Sequence, residues 1–460
     1  MMWPDASGAQ PAHDPERDAP GAAPDPARTV PLDRRVALAW GRRRHDHWHE
    51  HWIRSTEALA RLQERHCMAD ATIDEIDGRD IRIGDRWLTD YASGAYLGLD
   101  LDEEIIDAVP RYLARWGTHL SWSRLAGSPV LYEEIEASLA ALLGCEDVLT
   151  LPSATHVHLA VIPVLAGGGT VFLDDRAHRT VHDGCALATA RGATVVRFAH
   201  NDLDELAARL REPGRRRPGL ICLGGVNAVT GEQADIAAVA ALARAHDLRL
   251  YVDDAHGVGV LGARAAQEPC PYGIGGSGSV RHAGETYDNV ILVGGGSRAL
   301  SAGLAFVACP SATKRVLKTA AAPYAQSGAA SVAALAMTLE GLRVNELRGD
   351  GLRTRLYRLT ARLRRRIDEL QIATPSRSSR SGLPILALPL ADAGRIDEVG
   401  ELLFDRGVYA TPVVAPLVPG DEAGFRVRLT AVHTDEHVDH LADVLAELAG
   451  HFKVSTQPAE

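Results

Sequence analysis

The chain has 460 residues, 46% of them hydrophobic and 24% charged, with a formal net charge of -11 and a pI of about 6.0. That is ordinary globular composition, with enough chain for a large core, and it reads as two domains with a tail. The acidic balance argues against a nucleic-acid backbone as partner, and no apolar run reaches the roughly 18 residues that a membrane helix needs.

The N-terminus carries no basic segment followed by an apolar core, so no secretory leader is expected and a cytoplasmic location is. Six cysteines lie scattered without paired metal spacing; Cys222 and Cys309 fall in apolar strand-like runs, where a buried free thiol is the ordinary outcome. Only three lysines occur, Lys314, Lys318 and Lys453, and nearly all positive charge is arginine.

In chain order, residues 1–33 are rich in Pro, Asp, Ala and Gly and are expected to be a disordered tail. Residues 34–90 are expected to form an N-terminal helix, up to His66, and a small β meander over 72–90. The helix holds HDHWHEHW, with His45/His49 and His47/His51 at a spacing that could bind a metal on one face. No carboxylate-plus-histidine protease signature accompanies them, so solvated or packed histidines are expected instead.

A helix is expected to begin near Asp102, and another to run over 132–143. From Asp147 the rhythm is β-α-β, with strands at 148–151, 170–173, 194–197, 220–223, 249–252, 290–293 and 305–308. Apolar strands separated by helices imply a mostly parallel sheet covered on both faces. Residues 91–325 are thus read as a large three-layer α/β domain with seven strands. Residues 326–460 are read as a smaller α+β domain. It would hold two helices (331–344 and 351–370), a strand at 385–389, a helix at 395–406, a strand at 425–429 and a helix at 434–448, with Thr434 as its start signal.

The most informative stretch is LRLYVDDAHGVGVLG, residues 248–262. A short apolar strand ends in Asp253 and Asp254, followed by His256 and a glycine-rich turn. Ligands sit at strand C-terminal ends in such folds. Successive side chains point to opposite faces, so at most one of the two carboxylates faces a given pocket directly. The bland alternative is an acidic loop that caps the next helix.

With YLGLD (96–100), GTHLSWSRLAGSPVLYEEIE (117–136), AHRTVHDG (177–184), AHNDLDEL (199–206), YVDDAHGVGVLG (251–262), GVYATP (407–412) and RLTAVHT (428–434), the chain resembles the α-oxoamine synthases from about Tyr91 to Leu448. That family is a branch of the fold-type-I pyridoxal-phosphate enzymes and includes aminooxononanoate synthase and serine palmitoyltransferase. The resemblance implies the aminotransferase-like fold and a role for each matching residue. Asp253 matches the carboxylate that keeps the pyridine nitrogen protonated. His256 matches the histidine near the ring hydroxyl, and His178 the histidine that stacks on the ring and helps move a proton. Ser153, Ala154 and Thr155 occupy the turn whose amides meet the phosphate. Ser297 and Ser327 are further cofactor-side positions, while Arg426 and Arg124 are the substrate-side arginines, suited to carboxylates by their fork.

The pattern then breaks. The family places its Schiff-base lysine after a strand, where this chain reads VGGGSRALSAG (293–303), with Arg298 in the lysine's place. A guanidinium stays protonated and has no free lone pair to form an imine. Lys314, some sixteen residues on, falls in the next helix and is not expected to reach the spot. Other positions differ as well: His158 replaces an asparagine; Gly224, Ala228 and Thr230 replace polar groups; Gly328 replaces a threonine; and Val414 replaces an arginine.

Three expectations stay open. The first is acyl transfer from a thioester, on coenzyme A or a carrier protein, to an amino acid or related small-molecule nucleophile. Pyridoxal phosphate would be held non-covalently, and His178 and Arg298 would be the catalytic positions. The second is a non-catalytic partner subunit for a lysine-bearing homologue, in a heterodimer rather than a homodimer. The third is an acyl-thioester enzyme without the cofactor, using Arg298 to bind an anion.

Overall fold

The computed structural model describes residues 47–214, 218–264, 270–374 and 382–454, with the backbone alone for 47–55. The expected tail at 1–33 lies outside the described residues, as do His45 and the side chains of the other members of the histidine pairs of 45–51. Everything below concerns the described residues of the compact unit Thr56–Glu460; the first helix, α1, spans His47–Arg65.

The seven expected strands all form, as β4 (Asp147–Leu151), β5 (Thr170–Asp174), β6 (Thr194–Phe198), β7 (Gly219–Gly224), β8 (Arg249–Asp253), β9 (Val290–Gly295) and β10 (Ala305–Cys309). They make one sheet in the order β4-β10-β9-β8-β7-β5-β6. The run β9-β8-β7-β5-β6 is parallel, and β10 lies antiparallel to both of its neighbours. A parallel sheet must be covered on both faces, and the alternation along β8 shows how. Leu250 and Val252 enter one hydrophobic cluster, and Tyr251 enters the other. Cys222 and Cys309 are buried free thiols in this core.

Helices cover the strands, and side-chain caps set several of their starts. Asp102 caps α2 (Glu103–Trp116), and α3 (Val130–Leu143) follows. Ser153 caps α4 (Ala154–Ala166), accepting from the amide of His156. The helix α5 (Arg179–Ala190) starts at His178, α6 (Leu203–Arg211) at Asp202 and α7 (Ile236–Ala245) at Asp235. Each of these caps satisfies an amide that the first turn leaves without a helical partner.

The meander forms as β1 (Glu75–Asp77), β2 (Asp80–Ile83) and β3 (Arg86–Asp90). It gains a fourth strand from far along the chain, β12 (Val408–Tyr409), which pairs in parallel with β3. The short helices α8 (Gly278–His282), α9 (Ser311–Ala320) and α10 (Ala322–Ala325) lead into α11 (Val332–Glu369).

One expectation is corrected here. The two helices read at 331–344 and 351–370 are a single helix, α11 (Val332–Glu369). Gly349-Asp350-Gly351 reads as a turn, but the buried Arg353 fastens this region to the body of the domain. Its guanidinium donates to the carbonyl of Gly259 (2.9 Å), to Asn345 (2.7 Å) and to Asp350 (2.6 Å). Tertiary contacts thus override two poor helix formers.

The C-terminal part contains β11 (Ile385–Pro389), α12 (Ile396–Asp405), β13 (Thr411–Val413), β14 (Gly424–Arg428) and α13 (Asp435–Glu447). Thr434 does start the last helix, in a capping box with His437. Strand β14 lies between β11 and β13, opposing Arg426 to Ala387 and to Thr411. Among the described residues, no helix is long and apolar enough to cross a membrane.

Candidate active site

The site gathers at the C-terminal end of β8. Tyr251 and Asp253 are two residues apart on a strand, so they share a face. Helix α4 covers that face and brings His158 to both of them. His158 Nδ1 and the Tyr251 hydroxyl share a hydrogen bond of 2.8 Å, and His158 Nε2 lies 3.3 Å from Asp253 Oδ2. Asp253 also accepts from the amide of Ala255 at 3.2 Å. Burial alone would push its carboxyl up, but His158 outweighs that, with His178 adding to it, and the net shift is downward. Asp253 is therefore a buried carboxylate, ionised at neutral pH.

Asp254 faces the other way. It is fully buried, accepts from the amide of Ser279 at 2.7 Å, and is packed among glycines. A Cβ on Gly257 or Gly278 would come within 2.1 or 2.4 Å of its oxygens. Burial first, with Asp253 adding to it, pushes this carboxyl up to about 7.

His256 is buried and shares a hydrogen bond of 2.7 Å with the buried Tyr96. Burial, then the charges of Arg428, Arg298 and Arg426, hold its imidazole well below the usual value, so it is neutral. His178, at the start of α5, is more exposed and shares a 2.8 Å hydrogen bond with Thr180. Desolvation lowers its pKa, Asp253 opposes that, and His158 and Arg298 add to it. Ser153 lies at the start of α4, its hydroxyl 2.7 Å from His156 Nδ1. The amides of Ala154 and Thr155 are in the first turn, where a helix has donors to offer.

Arg298 follows β9 and is half-buried against Gly94, where a Cβ would meet its Cδ at 2.9 Å. Among the described residues its guanidinium has no carboxylate partner. Arg426 donates to the carbonyl of Ala228 at 3.2 Å. Ser297 is exposed beside Arg298.

The chain's lysines are engaged elsewhere. Lys314 lies on α9 and is paired with Asp147 (2.7 Å) and Glu136 (2.9 Å). Lys318 sits over the Tyr324 ring, and Lys453 donates to the carbonyl of Asp421.

Two expected site residues are not joined to this group by any contact among the described residues. Arg124 is buried in a network of its own. It donates to Glu136 at 2.8 Å and to Thr150 at 3.0 Å, with its guanidinium over the Tyr132 ring at 3.9 Å. Ser327 lies in an exposed loop and donates to the carbonyl of Gly328 at 3.1 Å. Four residues at the site were not singled out from the sequence as site residues: Tyr96, Tyr251, His158 as a partner of Asp253, and Arg428. The last had a signal, because Arg426 and Arg428 alternate on β14 and so share a face.

The aminotransferase class I and II family matches residues 88–445. Among curated proteins, the 8-amino-7-oxononanoate synthase of Chromohalobacter salexigens is 34% identical over 78% of this chain and 88% of its own. The serine palmitoyltransferase of Bacteroides ovatus is 28% identical over 81% of this chain and 91% of its own. Among solved structures, the serine palmitoyltransferase of Sphingomonas wittichii superposes with a TM-score of 0.78, at 24% identity, over 88% of this chain and 98% of that one. The chain belongs to the aminotransferase class I and II family, with the fold-type-I architecture, and its relatives place it among the α-oxoamine synthases.

Proposed function

We propose that this chain is an α-oxoamine-synthase-like acyltransferase whose cofactor site has no lysine. It joins an acyl thioester, carried on coenzyme A or a carrier protein, to an amino acid or related nucleophile. The observation that carries this reading is the persistence of Asp253, His256 and His178 around the end of β8, while Arg298 follows β9 and Lys314 is held by Glu136 and Asp147.

The residues present suit pyridoxal phosphate held without a covalent bond. Asp253 is an ionised carboxylate ready to pair with a protonated ring nitrogen, and the start of α4 at Ser153, Ala154 and Thr155 offers amides to a phosphate. The cofactor, when bound, supplies an electron sink for a carbanion next to the amine. The chain's own residues do the rest. His158 holds Asp253 in its charged form. His178 carries a proton to or from the reacting carbon. Arg426 holds the substrate carboxylate, and Arg298, packed against Gly94, offers a second cation to the substrate.

The protein would be cytoplasmic and a homodimer, with Ser327 as a position offered to a neighbouring subunit's site. A second reading is favoured by Arg298 itself: a non-catalytic subunit that completes the site of a lysine-bearing homologue.

The test mixes purified chain, pyridoxal phosphate, acyl-coenzyme A and a panel of amino acids. It follows thiol release and product mass. Thiol release that depends on the amino acid and falls strongly in His178→Ala supports acyl transfer. Release that appears only when a lysine-bearing homologue is added supports the partner role instead.

A further inference from the structure

The C-terminal strand β14 brings a second arginine beside Arg426. Arg426 and Arg428 both donate to one carbonyl, that of Ala228, at 3.2 and 3.4 Å, so the two cations lie side by side. Arg428 also donates to the carbonyl of Ala92 at 3.0 Å, and Arg298 lies against Gly94 two residues further on. The third cation therefore borders the same segment, which ends in Tyr96 and its partner His256.

No carboxylate among the described residues pairs with any of the three. Asp253 is taken up by His158, and Asp90, which acts weakly on Arg428, is turned to the amides of Ala92 and Ser93. Arg428 is only 4% exposed, and among the described residues the buried Nε donors of Arg426 and Arg428 have no acceptor. Buried guanidiniums are ordinarily paired, because an uncompensated buried charge is costly. Burial first, then Arg428, pull Arg426 down to about 9; Tyr96 opposes that and Arg298 adds to it. A single carboxylate would balance only one of three positive charges.

We propose that Arg298, Arg426 and Arg428 form one site for a ligand with at least two negative charges, so that the substrate of the reaction proposed above carries a second anionic group beside its carboxylate. This rests on Arg426 holding the substrate carboxylate and adds a second anion to it. The ligand chemistry is a dianion, from a dicarboxylate or a phosphate ester.

The test measures binding to the full chain by calorimetry and thermal shift, with acetate, succinate and inorganic phosphate as probes at constant ionic strength. Succinate or phosphate should bind at least about tenfold more tightly than acetate. Whichever binds better assigns the second group to a carboxylate or a phosphate. Arg298→Gln, at a half-buried position, should remove most of that preference, weakening dianion binding several-fold more than it weakens acetate binding. Arg428→Lys, which keeps the charge and loses the fork, should weaken dianion binding several-fold. Equal affinity for acetate and both dianions overturns the proposal, as does a dianion preference unchanged in Arg298→Gln. Thiol release is a separate readout: dianion selectivity without turnover would sink the acyltransfer reading and leave this site standing.

Discussion

Replacing Asp254 with asparagine isolates a proton that the fold holds in place. Asp254 is fully buried beside the ionised Asp253, a setting that suits a neutral carboxyl better than a carboxylate, and only Ser279 opposes this. Its pKa rises from 3.8 to about 7 on folding. Because the folded state binds this proton more tightly than the unfolded chain, stability from this group is fully present below pH 4 and is lost as pH rises towards 7. A shift of about three units corresponds to about 4 kcal/mol over that window. Asparagine keeps an acceptor for the Ser279 amide and has no proton to lose. Urea denaturation of both proteins from pH 4.5 to 8 is the assay. The wild-type chain should fall steadily in stability relative to Asp254→Asn up to about pH 7, and the difference should then level off. A difference that does not change with pH would refute the reasoning, since Asp254 would then titrate as an ordinary carboxyl.

The packing sets three further outcomes. Arg124→Ala should destabilise the fold by about 3 kcal/mol in denaturant melts, because it breaks a buried pair with Glu136; a raised KM with unchanged stability would instead put Arg124 at the substrate. In α11, Gly351→Ala should raise stability by about 1 kcal/mol, since its Cβ would meet nothing within 4 Å. Gly349→Ala should lower stability, because its Cβ would come within 2.4 Å of Asn345 and 2.7 Å of Arg353.

The sheet was legible because its strands are apolar runs bounded by turns, and the helix starts because their caps are local. What stayed hidden depends on distant contacts. The strands β12 and β13 are two and three residues long, and pairing with β3 and β14 defines them rather than any periodicity of their own. The continuous α11 was hidden because Arg353 finds its acceptor on Gly259, 94 residues away in sequence. At the site, Asp253, His256 and His178 were readable from motifs. The partner of Asp253 was not, since His158 reads as a substitution until α4 is laid over β8. Arg124 had the right residue type for a substrate anchor, but the carboxylate it meets is Glu136 on the adjoining helix.

If Asp253, His256 and the start of α4 still hold pyridoxal phosphate, the proposed site differs from a covalent one at position 298, where arginine stands in the lysine's place. The direct measurement is borohydride reduction in the presence of pyridoxal phosphate, followed by peptide mass spectrometry of the wild-type chain and of Arg298→Lys. The cofactor should become fixed to position 298 in the variant and to no residue in the wild type. Fixation to Lys314 in the wild type, or no cofactor retained by the variant, would contradict this.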